Sequence, residues 1–202
     1  MEMNKTNYSL SEELINSISH GIGALLGIAA LVLSVVFSNK PISIVSSSIY
    51  GCFLIILYTT SCLYHSFSPR LGVKKVFRVL DHDSIYLLIF GTYMPYLLVA
   101  LGGIKGWVLW GILLVLTIIG IVLNSVNLEK FKNISLISYI LMGWIVIFSF
   151  KDIYTAIGYK GTLFLLLGGI LYTIGAVFYS IGKKVKYMHC LFHLLVLAGS
   201  IF

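Results

Sequence analysis

Charged residues are scarce in this chain. Its 202 residues include 14 lysines and arginines and 7 aspartates and glutamates, so 10% are charged, whereas 59% are hydrophobic. The mean hydropathy is +1.00. Soluble domains carry about 25% charged residues, and a chain this apolar could not stay solvated as a disordered polypeptide. The scarcity of charge therefore excludes both classes and predicts a polytopic membrane protein.

Cysteine is scarce as well. The three cysteines, Cys52, Cys62 and Cys190, all fall within uncharged stretches. An odd number in such positions offers no disulfide framework. We interpret them as small packing residues, and a redox or ligand role is the alternative for Cys62 and Cys190, because both neighbour histidines.

Seven stretches of the chain contain no aspartate, glutamate, lysine or arginine. Because about 20 apolar residues cross the hydrocarbon core as a helix, the pattern predicts an all-α membrane protein, a single seven-transmembrane helix bundle over residues 1–202. The connecting loops are short, so any function must reside within or beside the bundle. The predicted helices cover about 14–38, 42–68, 80–101, 106–127, 133–150, 161–182 and 185–202.

The basic residues predict the orientation of this bundle. With seven spans, the N-terminus and the even-numbered gaps share one side, and that side holds ten of the 14 lysines and arginines. The positive-inside rule then places the N-terminus in the cytoplasm and the C-terminus outside. This orientation explains the net charge of +7, so the charge does not imply a nucleic-acid partner. The expected partners are membrane lipids, including anionic lipids of the inner leaflet.

The five histidines gather at the predicted cytoplasmic ends of their helices: His20, His65, His82, His189 and His193. His189 and His193 are four residues apart, so on a helix they share one face. Two imidazoles at that spacing can bind one metal ion. His65 lies at the matching depth on another helix, and three histidine ligands leave a fourth position for water, as in a catalytic zinc site.

Other roles for these histidines are open on spacing alone. An imidazole in a bundle often hydrogen-bonds across helices, which is the favoured interpretation for His20 and His82. For His65, His189 and His193 the spacing is compatible with either role. Because ionisable residues within membrane spans are costly and point to function, the metal site is favoured.

Two aspartates and a serine lie near these histidines in the sequence. Asp81 and Asp83 begin the third predicted helix, where each could cap the helix or act on a metal-bound water. Two residues apart, they face nearly opposite sides, so spacing does not choose between them. Ser61 lies one turn before His65, and its hydroxyl could reach the site or bond back to its own backbone.

Four segments of the chain form a recognisable set: EELINSISHGIGA at 12–24, SCLYHSF at 61–67, LDHDSIYLLIFGTYMPYLL at 80–98 and MHCLFH at 188–193. They resemble the hemolysin III proteins, the bacterial branch of the progestin and adiponectin receptor (PAQR) family. The segments run from the first predicted helix to the last, so the resemblance covers essentially the whole chain. It implies a multi-pass protein in the plasma membrane of a bacterium.

The resemblance also implies roles for individual residues. The family's zinc ligands fall on His65, His189 and His193, and its third-helix aspartate, which contacts the zinc-bound water, falls on Asp81. Ser61 matches the serine of the family's second-helix motif. His20 matches a first-helix motif that does not bind zinc in relatives, so only a supporting role is expected for it.

The leading hypothesis is a zinc-dependent hydrolase of a membrane lipid amide or ester. Zinc would activate water, Asp81 would accept or steer the proton, and Ser61 would hydrogen-bond the developing oxyanion. An amide is suggested by the resemblance to ceramidase-like relatives. The alternative is a non-enzymatic membrane sensor, or a pore-forming haemolysin that lyses cells, with a structural zinc ion.

Overall fold

The computed structural model describes residues 8–182 and 184–202. Over these residues the chain is helical and contains no strand, which confirms the all-α fold class. The described residues form six α-helices: α1 Leu10–Val36, α2 Pro41–Ser66, α3 Val73–Met94, α4 Gly103–Gly143, α5 Phe150–Ile181 and α6 Met188–Ile201. A π-helical segment, Pro95–Leu101, continues α3, and a short 3-10 segment, Ile145–Ser149, joins α4 to α5.

Local sequence signals explain where the first helices begin. At the start of α1, the Ser9 side chain accepts a hydrogen bond from the Glu12 backbone N–H, and the Glu12 carboxylate accepts one from the Ser9 N–H. This reciprocal capping box satisfies two backbone donors at the helix start. α2 has Pro41 in its first turn, where the missing N–H costs nothing.

Within the described part of the chain, four helical stretches are long and apolar enough to cross a membrane. The fourth is 79 residues long and includes both α4 and α5, while α6 is a shorter apolar helix. The chain is therefore a membrane protein with several apolar helices, and the seven separate helices of the sequence prediction are not resolved as seven elements. The four stretches are Leu10–Val36, Pro41–Ser66, Val73–Leu101 and Gly103–Ile181.

The long fourth stretch turns back on itself at Asn127, whose φ of −161° and ψ of 88° are not helical. Beyond it, the Ser135 hydroxyl donates to Asn124 Oδ1 at 2.6 Å. Eleven residues of straight helix would separate these residues by about 16 Å. The two parts of α4 therefore pack side by side.

A second turn lies at Gly158, with φ 68° and ψ −175°. Residues that carry a Cβ rarely adopt this backbone conformation, whereas glycine adopts it readily. Trp144 and Thr173, on either side of the turn, are joined by a hydrogen bond of 3.0 Å between the indole N–H and the threonine hydroxyl. The chain therefore folds back here as well.

Close packing of α1, α2 and α6 positions the site described below. A Cβ on Gly23 would lie 2.6 Å from a ring carbon of Tyr58, so only glycine allows this approach of α1 to α2. The Tyr58 hydroxyl in turn donates to Ser200 on α6 at 2.7 Å. These contacts pack α1, α2 and α6 side by side.

Other contacts join the beginnings of α1 and α6 and the end of α2 at one end of the bundle. The Tyr187 backbone N–H, just before α6, donates to Glu12 Oε1 at 2.8 Å. The hydroxyls of Ser17 on α1 and Ser66 on α2 lie 2.6 Å apart.

Candidate metal centre

Three buried histidines meet at this end of the bundle. His65 lies in the last turn of α2, and His189 and His193 lie in the first two turns of α6. Each offers a ring nitrogen, and these nitrogens all lie within 4.8 Å of one another. The structure therefore brings the three predicted ligands together in a group that could hold a metal ion.

The ring nitrogens have the spacing and the chemistry that a metal ion requires. Nε2 of His193 lies 3.1 Å from Nε2 of His189, and tetrahedral zinc with bonds of about 2.0–2.1 Å would hold two ligand nitrogens about 3.3 Å apart. Nε2 of His65 is buried and has no hydrogen-bond partner among the described residues. Since an unpaired buried polar atom is costly, this nitrogen fits a metal ligand. Imidazole ligands suit zinc, copper, iron and nickel.

A glutamate that the sequence pattern does not reveal lies directly behind His65. Glu13 Oε2 is 2.6 Å from His65 Nδ1, and Glu13 Oε1 accepts a hydrogen bond from Lys74 Nζ at 2.6 Å. Two features of the sequence point to Glu13: it is an ionisable residue in the first turn of an apolar helix, and it lies in the first segment of the family resemblance. Neither signal indicates which histidine it contacts.

Aromatic rings enclose the histidines. The ring of Tyr8 stacks on His189, with centroids 4.6 Å apart and planes 18° apart. Tyr64 packs on His65 at 4.5 Å, and Tyr179 lies 5.9 Å from His189. Desolvation raises the pKa of the Tyr8 phenol well above its ordinary value, so this ring stays neutral. Sequence reasoning does not single out these tyrosines, since 13 tyrosines are spread along the chain.

The remaining two histidines are outside the three-histidine group. His20 packs on His193, with ring centroids 3.9 Å apart, and its Nε2 lies 3.4 Å from the His193 carbonyl oxygen. His82 Nδ1 lies 2.8 Å from the Arg78 carbonyl oxygen, and its Nε2 lies 3.1 Å from the Tyr179 hydroxyl. His20 is thus a direct neighbour of the site, whereas His82 links α3 to α5.

A cavity of about 470 Å³ extends from this centre along the bundle. Its wall includes His189, Ser61 and Asp81 at one end and reaches Phe202 at the end of the chain. The Ser61 hydroxyl is buried and has no hydrogen-bond partner within the described part of the chain. Asp83 instead faces α4, where it accepts a hydrogen bond of 3.0 Å from Ser125. Asp81 and Ser61 therefore share a cavity with one of the three histidines.

A multi-pass helical membrane protein with a buried three-histidine centre is the class that this fold and site define. The family described as "Haemolysin-III related" matches residues 8–202. The chain belongs to the hemolysin III family, which confirms the resemblance drawn from its four segments. It is a bacterial multi-pass membrane protein.

Individual relatives agree with this assignment. The chain is 40% identical to "Hemolysin-3" of Bacillus cereus over 98% of its own length and 91% of that protein. It is 39% identical to "Hemolysin-3 homolog" of Bacillus subtilis (strain 168), over 96% and 91% of the two chains. A more distant similarity, 27% identity over 77% of this chain and 66% of the other, links it to human "Monocyte to macrophage differentiation factor", in keeping with its predicted place in the PAQR family.

Proposed function

We propose that the protein is a zinc-dependent hydrolase that cleaves an amide or ester bond of a membrane lipid. The observation that carries this proposal is the three-histidine group, which lies at the end of a cavity with a largely apolar and aromatic wall. A lipid chain would fit such a cavity, because ligand pockets combine apolar walls with a few polar groups that orient the ligand. The same cavity contains an aspartate and a serine.

Each polar residue then has a distinct role. His65, His189 and His193 would hold the zinc ion, which supplies a Lewis acid and makes water a nucleophile near neutral pH. Asp81 would accept the proton that the attacking water loses. The buried Ser61 hydroxyl, which has no partner among the described residues, would donate a hydrogen bond to the oxygen that gains negative charge.

The membrane topology completes the proposal. The turns at Asn127 and Gly158 divide the 79-residue stretch into three segments, which supports seven spans in one domain over residues 1–202. The excess of lysine and arginine supports a cytoplasmic N-terminus and a C-terminus outside. The metal centre would then lie at the depth of the cytoplasmic headgroups, where a lipid can enter from the bilayer.

Metal content and lipid turnover of two variants test this function. We expect purified wild-type protein to carry one zinc ion per chain, and His189→Ala to lose zinc and turnover together. Asp81→Asn should keep its zinc and lose about 10²- to 10⁴-fold in turnover, the usual contribution of a general base. Wild-type protein without stoichiometric zinc, or Asp81→Asn with unchanged turnover, would contradict the proposal.

A second candidate function is lysis of membranes, which the name of the Bacillus cereus relative favours. Its test is dye leakage from liposomes that contain the protein. Leakage that persists after the three histidines are replaced by alanine would support a pore with a structural metal site. Intact liposomes with wild-type protein would exclude it.

A further inference from the structure

The first turn of α1 contacts both helices that carry the histidines. Two adjacent glutamates make these contacts, Glu12 with the start of α6 and Glu13 with the end of α2. We propose that Glu13, held in place by Lys74, is a positioning residue that orients His65 for metal binding, while Glu12 fixes the start of α6. This inference rests on the metal centre of the proposed function and assigns roles to residues that do not themselves bind the ion.

Glu13 determines which nitrogen of His65 faces the site. The His65 side chain is fully buried, and its Nδ1 lies 2.6 Å from Glu13 Oε2. An ionised carboxylate can only accept hydrogen bonds, so Nδ1 carries the proton and Nε2 presents a lone pair. Asn16 Nδ2 lies 3.5 Å from the same Nδ1, but both atoms then carry hydrogens, so this contact does not compete with the Glu13 hydrogen bond. A carboxylate on the second ring nitrogen fixes the tautomer and the ring orientation of a metal-binding histidine.

Lys74 fixes Glu13 in turn. The lysine is buried, and its Nζ donates to Glu13 Oε1 at 2.6 Å and lies 5.0 Å above the ring of Tyr64. The carboxylate is thereby held at both oxygens, one by a cation on α3 and one by the imidazole on α2. Removing either partner of a buried charge pair leaves an unpaired buried charge, which is costly. Glu13 and Lys74 therefore stabilise each other in this position.

Glu12 acts on the other histidine-bearing helix. It is buried, and its Oε1 accepts a hydrogen bond of 2.8 Å from the Tyr187 backbone N–H. Tyr187 has φ 63°, a left-handed conformation that is strained for a residue with a bulky side chain. Strain of this kind persists where its surroundings enforce it. His189 follows two residues later, so Glu12 determines where α6 begins relative to α1.

Zinc affinity of full-length protein in detergent tests the role of Glu13. We expect Glu13→Ala to weaken zinc binding about 10- to 100-fold in competition with a chelator, the usual effect of losing such a partner. Glu13→Gln, whose amide oxygen can still accept from Nδ1, should recover part of this loss. The matched control is Asp152→Asn, which removes the exposed Lys105–Asp152 ion pair and should leave zinc affinity unchanged.

A double variant separates positioning from simple charge balance. If Glu13 only neutralised Lys74, then Glu13→Ala with Lys74→Met would restore wild-type zinc affinity. If Glu13 orients His65, the double variant folds without a buried unpaired charge and still binds zinc weakly. Restored affinity in the double variant would therefore overturn the inference even where Glu13→Ala alone fails to fold.

The visible absorption of bound cobalt is a second measurement, and it would not change in Glu13 variants if the role of Glu13 were purely structural. We expect the visible absorption of Co²⁺-loaded protein to change in Glu13→Gln and to remain unchanged in Asp152→Asn, because only the first variant alters a ligand's hydrogen bond. Wild-type protein that binds neither zinc nor cobalt would refute the proposed function. If the wild type binds both metals, and the Glu13 variants bind them with the same affinity and the same spectrum, this inference alone is refuted.

Discussion

Ser61 and His65 lie one turn apart on α2, and each has a buried polar atom without a hydrogen-bond partner among the described residues. An unsatisfied buried hydroxyl or nitrogen costs about 1–3 kcal/mol. Neighbouring residues share this property at the same end of the bundle. The atoms are Asn16 Oδ1, His20 Nδ1, Ser61 Oγ, His65 Nε2 and His193 Nδ1. We infer that a metal ion satisfies His65 Nε2 and that a substrate satisfies Ser61 Oγ, two atoms that have no partner among the described residues.

Ser61→Ala tests this inference at a single residue. Because the hydroxyl has no hydrogen-bond partner to lose among the described residues, we expect the thermal midpoint in detergent to stay the same or rise, whereas lipid turnover falls about 10²-fold through loss of an oxyanion donor. Ser135→Ala is the matched control: that buried hydroxyl donates to Asn124 at 2.6 Å, so its removal should lower the midpoint. Equal destabilisation by the two variants would show that Ser61 has a partner.

At the scale of helices, the second turn of the long fourth stretch depends on the backbone conformation of one glycine. Gly158 has φ 68°, and a Cβ added there would meet nothing within 4 Å. The cost of a side chain at this position is therefore one of backbone conformation alone. Gly111 also has open space around its Cβ position but lies within the helical part of α4. The two glycines thus differ in conformation and not in packing.

Gly158→Ala should lower the free energy of unfolding by about 1–3 kcal/mol, the cost of forcing a side chain into a conformation that only glycine favours. Gly111→Ala should be neutral or stabilise by up to about 1 kcal/mol, since alanine is the better helix former. Denaturant titration of both variants in detergent measures the difference. If both substitutions had the same effect, the turn would not depend on the glycine conformation.

The sequence predicts some of these elements better than others. Long uncharged stretches predict the helices because apolar side chains are needed across a bilayer. The charges of Glu129, Lys130 and Lys132 were interpreted as a loop between helices, yet the backbone there is helical and the chain turns at Asn127. Charge indicates where a chain leaves the hydrocarbon region, but it does not decide whether the backbone stops being helical.

The residues of the candidate site also differ in how well the sequence predicts them. The spacing of His189 and His193 places them on one helix face, so this pair is visible in the sequence. The predicted depth of His65 on another helix adds the third ligand, which the family resemblance also implies. Glu13 and Lys74 are not visible, because Glu13 lies 52 residues from His65 and 61 residues from Lys74 along the chain. Contacts of this length depend on how helices pack, and no local pattern encodes them.

For the whole molecule, the ion pairs agree with the proposed topology. Glu13 pairs with Lys74, and Arg78 pairs with Glu129; all four residues fall on the predicted cytoplasmic side. Lys105 pairs with Asp152 at 2.5 Å, and both fall on the predicted outer side. Residues that share an ion pair must lie at one end of the bundle, so these pairs support the grouping of the loops. The basic excess then predicts a cytoplasmic location for the first group.

Thiol labelling of intact bacteria tests this orientation. Lys40 and Arg70 are both exposed, and they lie in consecutive gaps, before and after α2. In a background whose three cysteines are replaced by alanine, we expect a membrane-impermeant maleimide to label Lys40→Cys on intact cells. Arg70→Cys should be labelled only after the membrane is permeabilised, because a gap this rich in lysine and arginine is expected to lie in the cytoplasm. The reverse labelling pattern would show that the protein has the opposite orientation and that the histidine centre lies at the outer face of the membrane.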